Sequence, residues 1–250
     1  MSGLDIHIRD KTYRAVDRSG PARIFQDFHL TAAHGAFVCL FGPSGCGKTT
    51  LLNIVAGLDL DYQGSVRFAN AVASGDVRVG YVFQQPRLLP WRTVAENVGL
   101  PVQDDPDRLS RVDDLLTEVG LGGLANAYPR QLSAGQARRA ALARAFAVEP
   151  DLMLLDEPFV SLDDPSADRL RQTLMAVWSQ RPTTVLFVTH DLDEAVLLAD
   201  RVLLLSASPV AIAADTAIDV PRADRRDSPE IARHIAELDG LRRNGGAETS

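Results

Sequence analysis

The chain has 250 residues, enough to bury a core without disulfides, and its 46% apolar and 24% charged content excludes a disordered or fibrous polymer. Lys and Arg total 26 against 33 Asp and Glu, a net charge of −7 that argues against a general duplex-DNA binder. Its two cysteines, Cys39 and Cys46, are too few for a disulfide framework or a cysteine-based zinc site, and suit a reducing compartment.

From the N-terminus, residues 1–14 carry charges where an export signal needs an apolar run. Residues 4–8 alternate as a strand, and 24–30 form a second strand-like stretch. The continuous apolar run 36–41, ended by a glycine-rich turn, predicts a strand buried on both faces. A helix over 49–58 ends near Gly57, and 66–68 and 77–83 return to strand.

Between about 91 and 128 the chain turns polar and helical, punctuated by Gln103-Asp104-Asp105-Pro106 and Gly122-Gly123, as an inserted helical lobe would be. A helix rich in Ala, Leu and Arg over 137–148 stops at Pro150. Strands at 152–155, 185–189 and 202–205 alternate with helices at about 165–180 and 192–199, which predicts a parallel sheet covered on both faces. Residues 195–214 are the best candidate membrane span. Asp200, Arg201 and Pro209 break it, and each central charge costs about 2.5–3.5 kcal/mol, so no span is expected. Ser228 and Pro229 start a last helix, with a frayed end beyond Arg243.

Three features carry chemistry. Gly42-Pro43-Ser44-Gly45-Cys46-Gly47-Lys48-Thr49 fits G-x-x-x-x-G-K-[ST] between a strand and a helix, the context a phosphate cradle requires. Its glycines let amides turn onto phosphates, and the helix N-terminus adds positive charge. Lys48 is placed to neutralise β- and γ-phosphates and Thr49 to ligate Mg²⁺. Second, the apolar strand 152–155 runs into Asp156 and Glu157: one acid to hold Mg²⁺ through water, the next to polarise the attacking water. Third, His190 ends another apolar strand. Parallel strands bring their C-terminal ends to one rim, where His190, Asp156 and the glycine-rich loop would converge. Ser133, in Leu132-Ser133-Ala134-Gly135-Gln136, reads as the cap of the Arg-rich helix.

On these residues the chain, from about 4 to 236, resembles the ATP-binding subunit of an ABC transporter. Walker A is Gly42 to Thr49, and Walker B ends at Asp156 with the catalytic Glu157 after it. Gln84 matches the Q-loop, Leu132 to Gln136 the signature, Ser161-Leu162-Asp163 the D-loop, His190 the H-loop and Tyr13 the adenine-stacking aromatic. The resemblance implies an α/β P-loop NTPase core with a mostly parallel sheet, an N-terminal antiparallel region and a helical subdomain at about 91–136. One domain would cover 1–243, and 244–250 would be a disordered tail.

It further implies catalysis by Glu157, His190 and Gln84, and Mg²⁺ on Thr49, Gln84 and Asp156. ATP would lie on Tyr13, Gly42, Pro43, Ser44, Gly45, Cys46, Gly47, Lys48, Thr49 and Thr50, with Ser133, Gly135, Gln136 and Asp163 serving the ATP of a second copy. Permease subunits and, through them, a solute-binding protein would be partners at the cytoplasmic face of the membrane, with no nucleic acid. One departure is Ala134, where the family usually has Gly; its methyl could crowd the partner's γ-phosphate. The stretch Gln84-Gln85-Pro86-Arg87-Leu88-Leu89-Pro90-Trp91 and the ending 221–230 are similar to importers of nitrate, sulfonates, taurine and pyrimidine precursors. In the family, the region of Leu88, Leu89 and Trp91 receives a short helix of the membrane subunit. An exporter cassette is the main rival, a soluble non-transport ABC ATPase the next. A P-loop kinase or GTPase would leave the signature unexplained, and the chain carries no N-K-x-D guanine motif.

Overall fold

The computed structural model describes residues 2–13, 22–68, 77–206 and 209–245. The chain begins with β1 (Ser2–Tyr13), β2 (Ala22–Ala33), β3 (Phe37–Phe41), α1 (Lys48–Val55) and β4 (Gln63–Phe68). Then come β5 (Val79–Val82), α2 (Val94–Gly99), α3 (Pro106–Leu109), α4 (Val112–Glu118), α5 (Ala134–Ala147), β6 (Leu152–Asp156) and α6 (Asp164–Gln180). It finishes with β7 (Thr184–Thr189), α7 (Leu192–Leu198), β8 (Arg201–Leu205), β9 (Ile212–Ala217) and α8 (Pro229–Gly245). Two compact units result, one of Met1–Ser74 with Thr184–Ser250 and one of Gly75–Thr183.

In the first unit β1 lies between β2 and β4 in an antiparallel sheet. β3 runs parallel to β7 on one side and β8 on the other, and all five of its residues are buried, as the continuous apolar run predicts. β1 extends well past the alternating 4–8 segment. Lys11 near its end is only 2% exposed, and its ammonium donates to Asp59 Oδ1 at 2.8 Å and to the Asp61 carbonyl at 2.7 Å. A buried charge is tolerated only with such partners, and those partners lie in the connection after α1.

Residues 195–214 divide among the end of α7, β8 and the antiparallel β9, which the sequence reading did not anticipate. Among the described residues no helix is long and apolar enough to cross a membrane. Arg225 fastens the tail: its buried guanidinium donates to the carbonyls of Val196, Leu197, Ala199, Ile218 and Val220, and burial lowers its pKa to about 10. Ser228 accepts from the Glu230 amide at the start of α8, as its capping position predicts. That helix runs to Gly245, while residues 246–250 of the expected tail lie outside the described residues.

In the second unit β5 and β6 pair in parallel, Val82 opposite Leu155. The helical stretch resolves into α2, α3 and α4 with short 3₁₀ turns. Its buried core joins Val94 and Val98 of α2, Val112 and Leu116 of α4, and Ala140 and Ala143 of α5. α5 starts at Ala134, earlier than its apolar pattern suggests, because Ser133 caps it: the hydroxyl accepts from the Gln136 amide and the Gln136 side chain accepts from the Ser133 amide.

Candidate active site

The first unit builds the candidate anion cradle. β3 ends at Phe41, the loop turns through Gly42 to Gly47, and α1 begins at Lys48. Glycine is required at two of its positions. A Cβ on Gly42 would lie 2.9 Å from the Leu205 carbonyl oxygen. Gly47 has φ +113° and its Cβ would lie 2.6 Å from Ile24 Cγ2. α1 has no side-chain cap and no acidic residue in its first turn, so its leading amides carry the helix's positive end without competition. Lys48 is 5% exposed and folds back over the loop, donating to the carbonyls of Gly42 and Pro43, each at 2.8 Å.

Cys46 is buried with Sγ 4.0 Å from Lys48 Nζ, a small side chain filling the inside of the loop. Pro43, Ser44, Gly45 and Thr49 are exposed. Tyr13 is 43% exposed; its hydroxyl lies 3.4 Å from Thr50 Oγ1 and donates to Asp59 Oδ2, and Lys11 Nζ sits 4.5 Å above its ring. The β3–β7 register sets Phe41 opposite Thr189, so Gly42 and the exposed His190 leave neighbouring strands at the same edge. Asp191 follows and caps α7 through the amides of Asp193 and Glu194. Thr189 Oγ1 donates to the buried Glu194 at 2.6 Å. Burial, with Glu194 adding to it, pushes the Cys39 thiol well up, so this cysteine is an inert core residue.

The second unit holds the acids and the signature. The β5–β6 pairing carries Gln84 and Glu157 out at the same end, and Gln84 Nε2 donates to Glu157 Oε2 at 3.1 Å. Asp156 is buried; the Tyr81 phenol is raised mainly by burial and further by the Asp156 charge. Glu157 has φ +45° and Ser161 φ +61°, left-handed conformations that cost a side-chain-bearing residue roughly 1–3 kcal/mol and collect at functional sites. Asp163 caps α6 by accepting from the Ser166 amide, and its hydrogen bond with the Ser166 side chain holds its carboxyl below the usual range. Ser133 and Ala134 are exposed, and a Cβ on Gly135 would stand 3.6 Å from Ser166, ordinary contact.

Two residues that the sequence reading passed over organise this unit. Arg138, one turn into α5, donates to the carbonyls of Gln84 and Pro158, each at 2.9 Å, and of Val160 at 2.6 Å. It thus ties the signature helix to the Q-loop and to the turn between the two left-handed residues. The Arg-rich composition of 137–148 was the available signal, but composition names no acceptor. Replacing Arg138 by Met, which keeps the stem, should lower kcat about 10- to 100-fold with the KM for ATP within about twofold. Steady-state kinetics of the Met and Lys variants, Lys partly rescuing, check this positioning role.

Asn97 is the second. It is fully buried in α2, accepts from the Leu89 amide at 2.7 Å and donates to the carbonyls of Leu89, Arg92 and Thr93. Leu88 packs on the core of this unit, whereas Trp91 stands 70% exposed, so Asn97 fixes the loop that displays the tryptophan. Asn97→Ala should cost about 2 kcal/mol, seen as hydrogen exchange at the Leu89 amide speeding roughly 30-fold.

The family model described as ABC transporter matches residues 25–160, more than half the chain. The chain is 46% identical over 236 residues to a protein named aliphatic sulfonates import ATP-binding protein SsuB 2 of Burkholderia cenocepacia (strain HI2424), covering 94% of this chain and 85% of that one. It is 39% identical to the SsuB protein of Bacillus subtilis (strain 168), covering 91% and 89%. Among solved structures it is similar to the dimeric post-hydrolysis state of the ATP-binding cassette MJ0796 bound to ADP and Pi. That match has a TM-score of 0.74 and 29% identity, covering 87% of this chain and all of the other. The chain belongs to the ABC transporter family, as one of its ATP-binding, ATP-hydrolysing import subunits.

Proposed function

We propose that this chain powers the uptake of an aliphatic sulfonate or similar small anion, working as an ATP-closed pair of copies on permease subunits at the cytoplasmic face of the membrane. The 46% identity to a protein named for aliphatic sulfonate import, spanning 94% of the chain, carries this reading. Residues 1–243 act as one cassette, and a solute-binding protein delivers the anion to the permease.

Lys48 and the amides at the start of α1 hold the phosphates, and Tyr13 stacks on the adenine. Thr49, Gln84 and Asp156 hold Mg²⁺. Their oxygens suit a hard cation, and the described residues contain no group of three or more His, Cys, Asp or Glu able to bind a metal by themselves, which suits an ion that shares the nucleotide's phosphates. When bound, Mg²⁺ withdraws charge from the phosphate oxygens. Glu157 orients and deprotonates the attacking water, with Gln84 and His190 reporting on the γ-phosphate. Ser133, Gly135, Gln136 and Asp163 complete the partner's nucleotide site, and Trp91 meets the permease helix.

The test is a pull-down of tagged Glu157→Gln protein with MgATP from detergent-solubilised native membranes. A polytopic chain recovered in equal amount is expected, and its disruption of uptake of alkyl sulfonates checks the substrate. Recovery of soluble partners alone, with the complex shown to survive detergent, would overturn the transport reading.

A further inference from the structure

The second unit contains a cavity of about 260 Å³ that no part of the ATPase mechanism uses. Its apolar wall is Val112 and Leu115 of α4, Phe146 of α5 and Val177 of α6. Its charged wall is Arg108, Arg111 and Arg181, all converging on the carboxylate of Glu149. Arg181 Nη1 is 3.0 Å and Arg108 Nε 3.5 Å from Glu149 Oε2, and Arg111 pairs with Oε1. A fourth guanidinium, Arg78, reaches the same carboxylate at 3.4 Å while also pairing with Asp151.

One carboxylate offers about four acceptor positions, whereas each guanidinium carries five donors. Arg111 and Arg181 keep 67% and 53% of their side-chain surface exposed, and Arg108 Nε is buried without a hydrogen-bond partner among the described residues. Arg108 also pairs with Asp105 and Arg78 with Asp151, so the donors left in excess beside the apolar hollow are those of Arg111 and Arg181, which each meet Glu149 through Nη1. Glu149 itself stands at φ +49°, a left-handed conformation that holds its carboxylate among the arginines at some cost. Asp114 and Glu118, exposed and one turn apart on α4, also line the cavity, so the anion's head is placed on the arginine side.

From this geometry we infer a binding site for a small amphiphilic anion: an alkyl chain against Phe146, Leu115 and Val177, and a sulfonate or carboxylate head taken by Arg111 and Arg181. The volume lies just under the usual range for drug-sized ligands, so a short chain fits. The site gives the cassette a means of sensing an accumulated alkyl anion. Its link to the imported solute rests on the proposed sulfonate uptake, but the chemistry of the pocket does not.

The test is calorimetric titration of the purified full chain with 1-butane-, 1-pentane- and 1-hexanesulfonate, against sodium sulfate, 1-hexanol and hexylammonium. Saturable sulfonate binding is expected, tightening about fourfold per methylene, with no saturation by sulfate, hexanol or hexylammonium. Exchanging both exposed arginines (Arg111→Ser with Arg181→Ser) should weaken hexanesulfonate at least tenfold. Leu115→Trp, which fills the hollow, should abolish the dependence on chain length. MgATP affinity, measured on the same proteins, should be unchanged; its loss in the parent chain would count against the ATPase assignment and not against this pocket. No saturation by hexanesulfonate, equal binding of hexylammonium, or unaltered affinity in both variants overturns the inference.

Discussion

Glu157→Gln should lower steady-state ATP hydrolysis by roughly 10²- to 10⁴-fold while leaving ATP affinity within about threefold. Gln fills the same volume and can still hydrogen-bond Gln84, so the 3.1 Å contact and the left-handed backbone at φ +45° both survive. What disappears is a carboxylate able to accept a proton from water. In the proposed site, binding is assigned to the glycine-rich loop and Lys48, so it should persist, and MgATP should then hold the protein as a dimer that cannot open by hydrolysis. Single-turnover phosphate release and light scattering with MgATP measure the two halves of this expectation. Wild-type turnover in the Glu157→Gln protein would falsify the assignment of the base.

Lys48→Ala should weaken ATP binding at least 100-fold. The Lys48 ammonium already makes two charged hydrogen bonds to the loop carbonyls at 2.8 Å, and charge-assisted bonds of this kind contribute about 1.5–3 kcal/mol each. Turned onto phosphate oxygens, as the proposed site requires, the same donors would supply the affinity, and alanine has none. Arginine is not expected to rescue, because its planar fork does not fit a space shaped for a compact point charge with only 5% exposure. A fluorescent-nucleotide titration of the Ala, Met and Arg variants reads this directly. Affinity within threefold of wild type in the Ala variant would remove Lys48 from the site.

Much of this molecule is written in short stretches of chain. The strands β3, β6 and β7 are continuous apolar runs, legible because a strand buried on both faces has no polar alternation to confuse it. Ser133, Asp163 and Asp191 cap helices through their own neighbouring amides, so composition alone points to those helix starts. The glycine-rich loop is local in part: Gly47 turns the backbone at φ +113° and Lys48 reaches back to the carbonyls of Gly42 and Pro43, whereas the close approach of Ile24 and Leu205 to its glycines is not.

Other features depend on partners far along the chain. Lys11 lies beyond the alternating 4–8 stretch, and Asp59 and Asp61 make its burial possible. β9 has the modest pattern IAADTA and forms because β8 offers an antiparallel edge. Arg138 sits among several arginines of one helix and is distinguished by the carbonyls of Gln84, Pro158 and Val160. Asn97 and the Arg108–Arg111–Arg181–Glu149 cluster are equally silent as letters.

The sequence by itself thus determined the family to which the chain belongs and singled out the residues proposed as its phosphate cradle and base. Tertiary structure alone decided which polar side chains are buried, what they hold, and where the cavity beside Glu149 lies. The reason is that motifs and caps are satisfied within a few residues, whereas the acceptors of a buried cation are chosen by the packing of segments tens of residues apart.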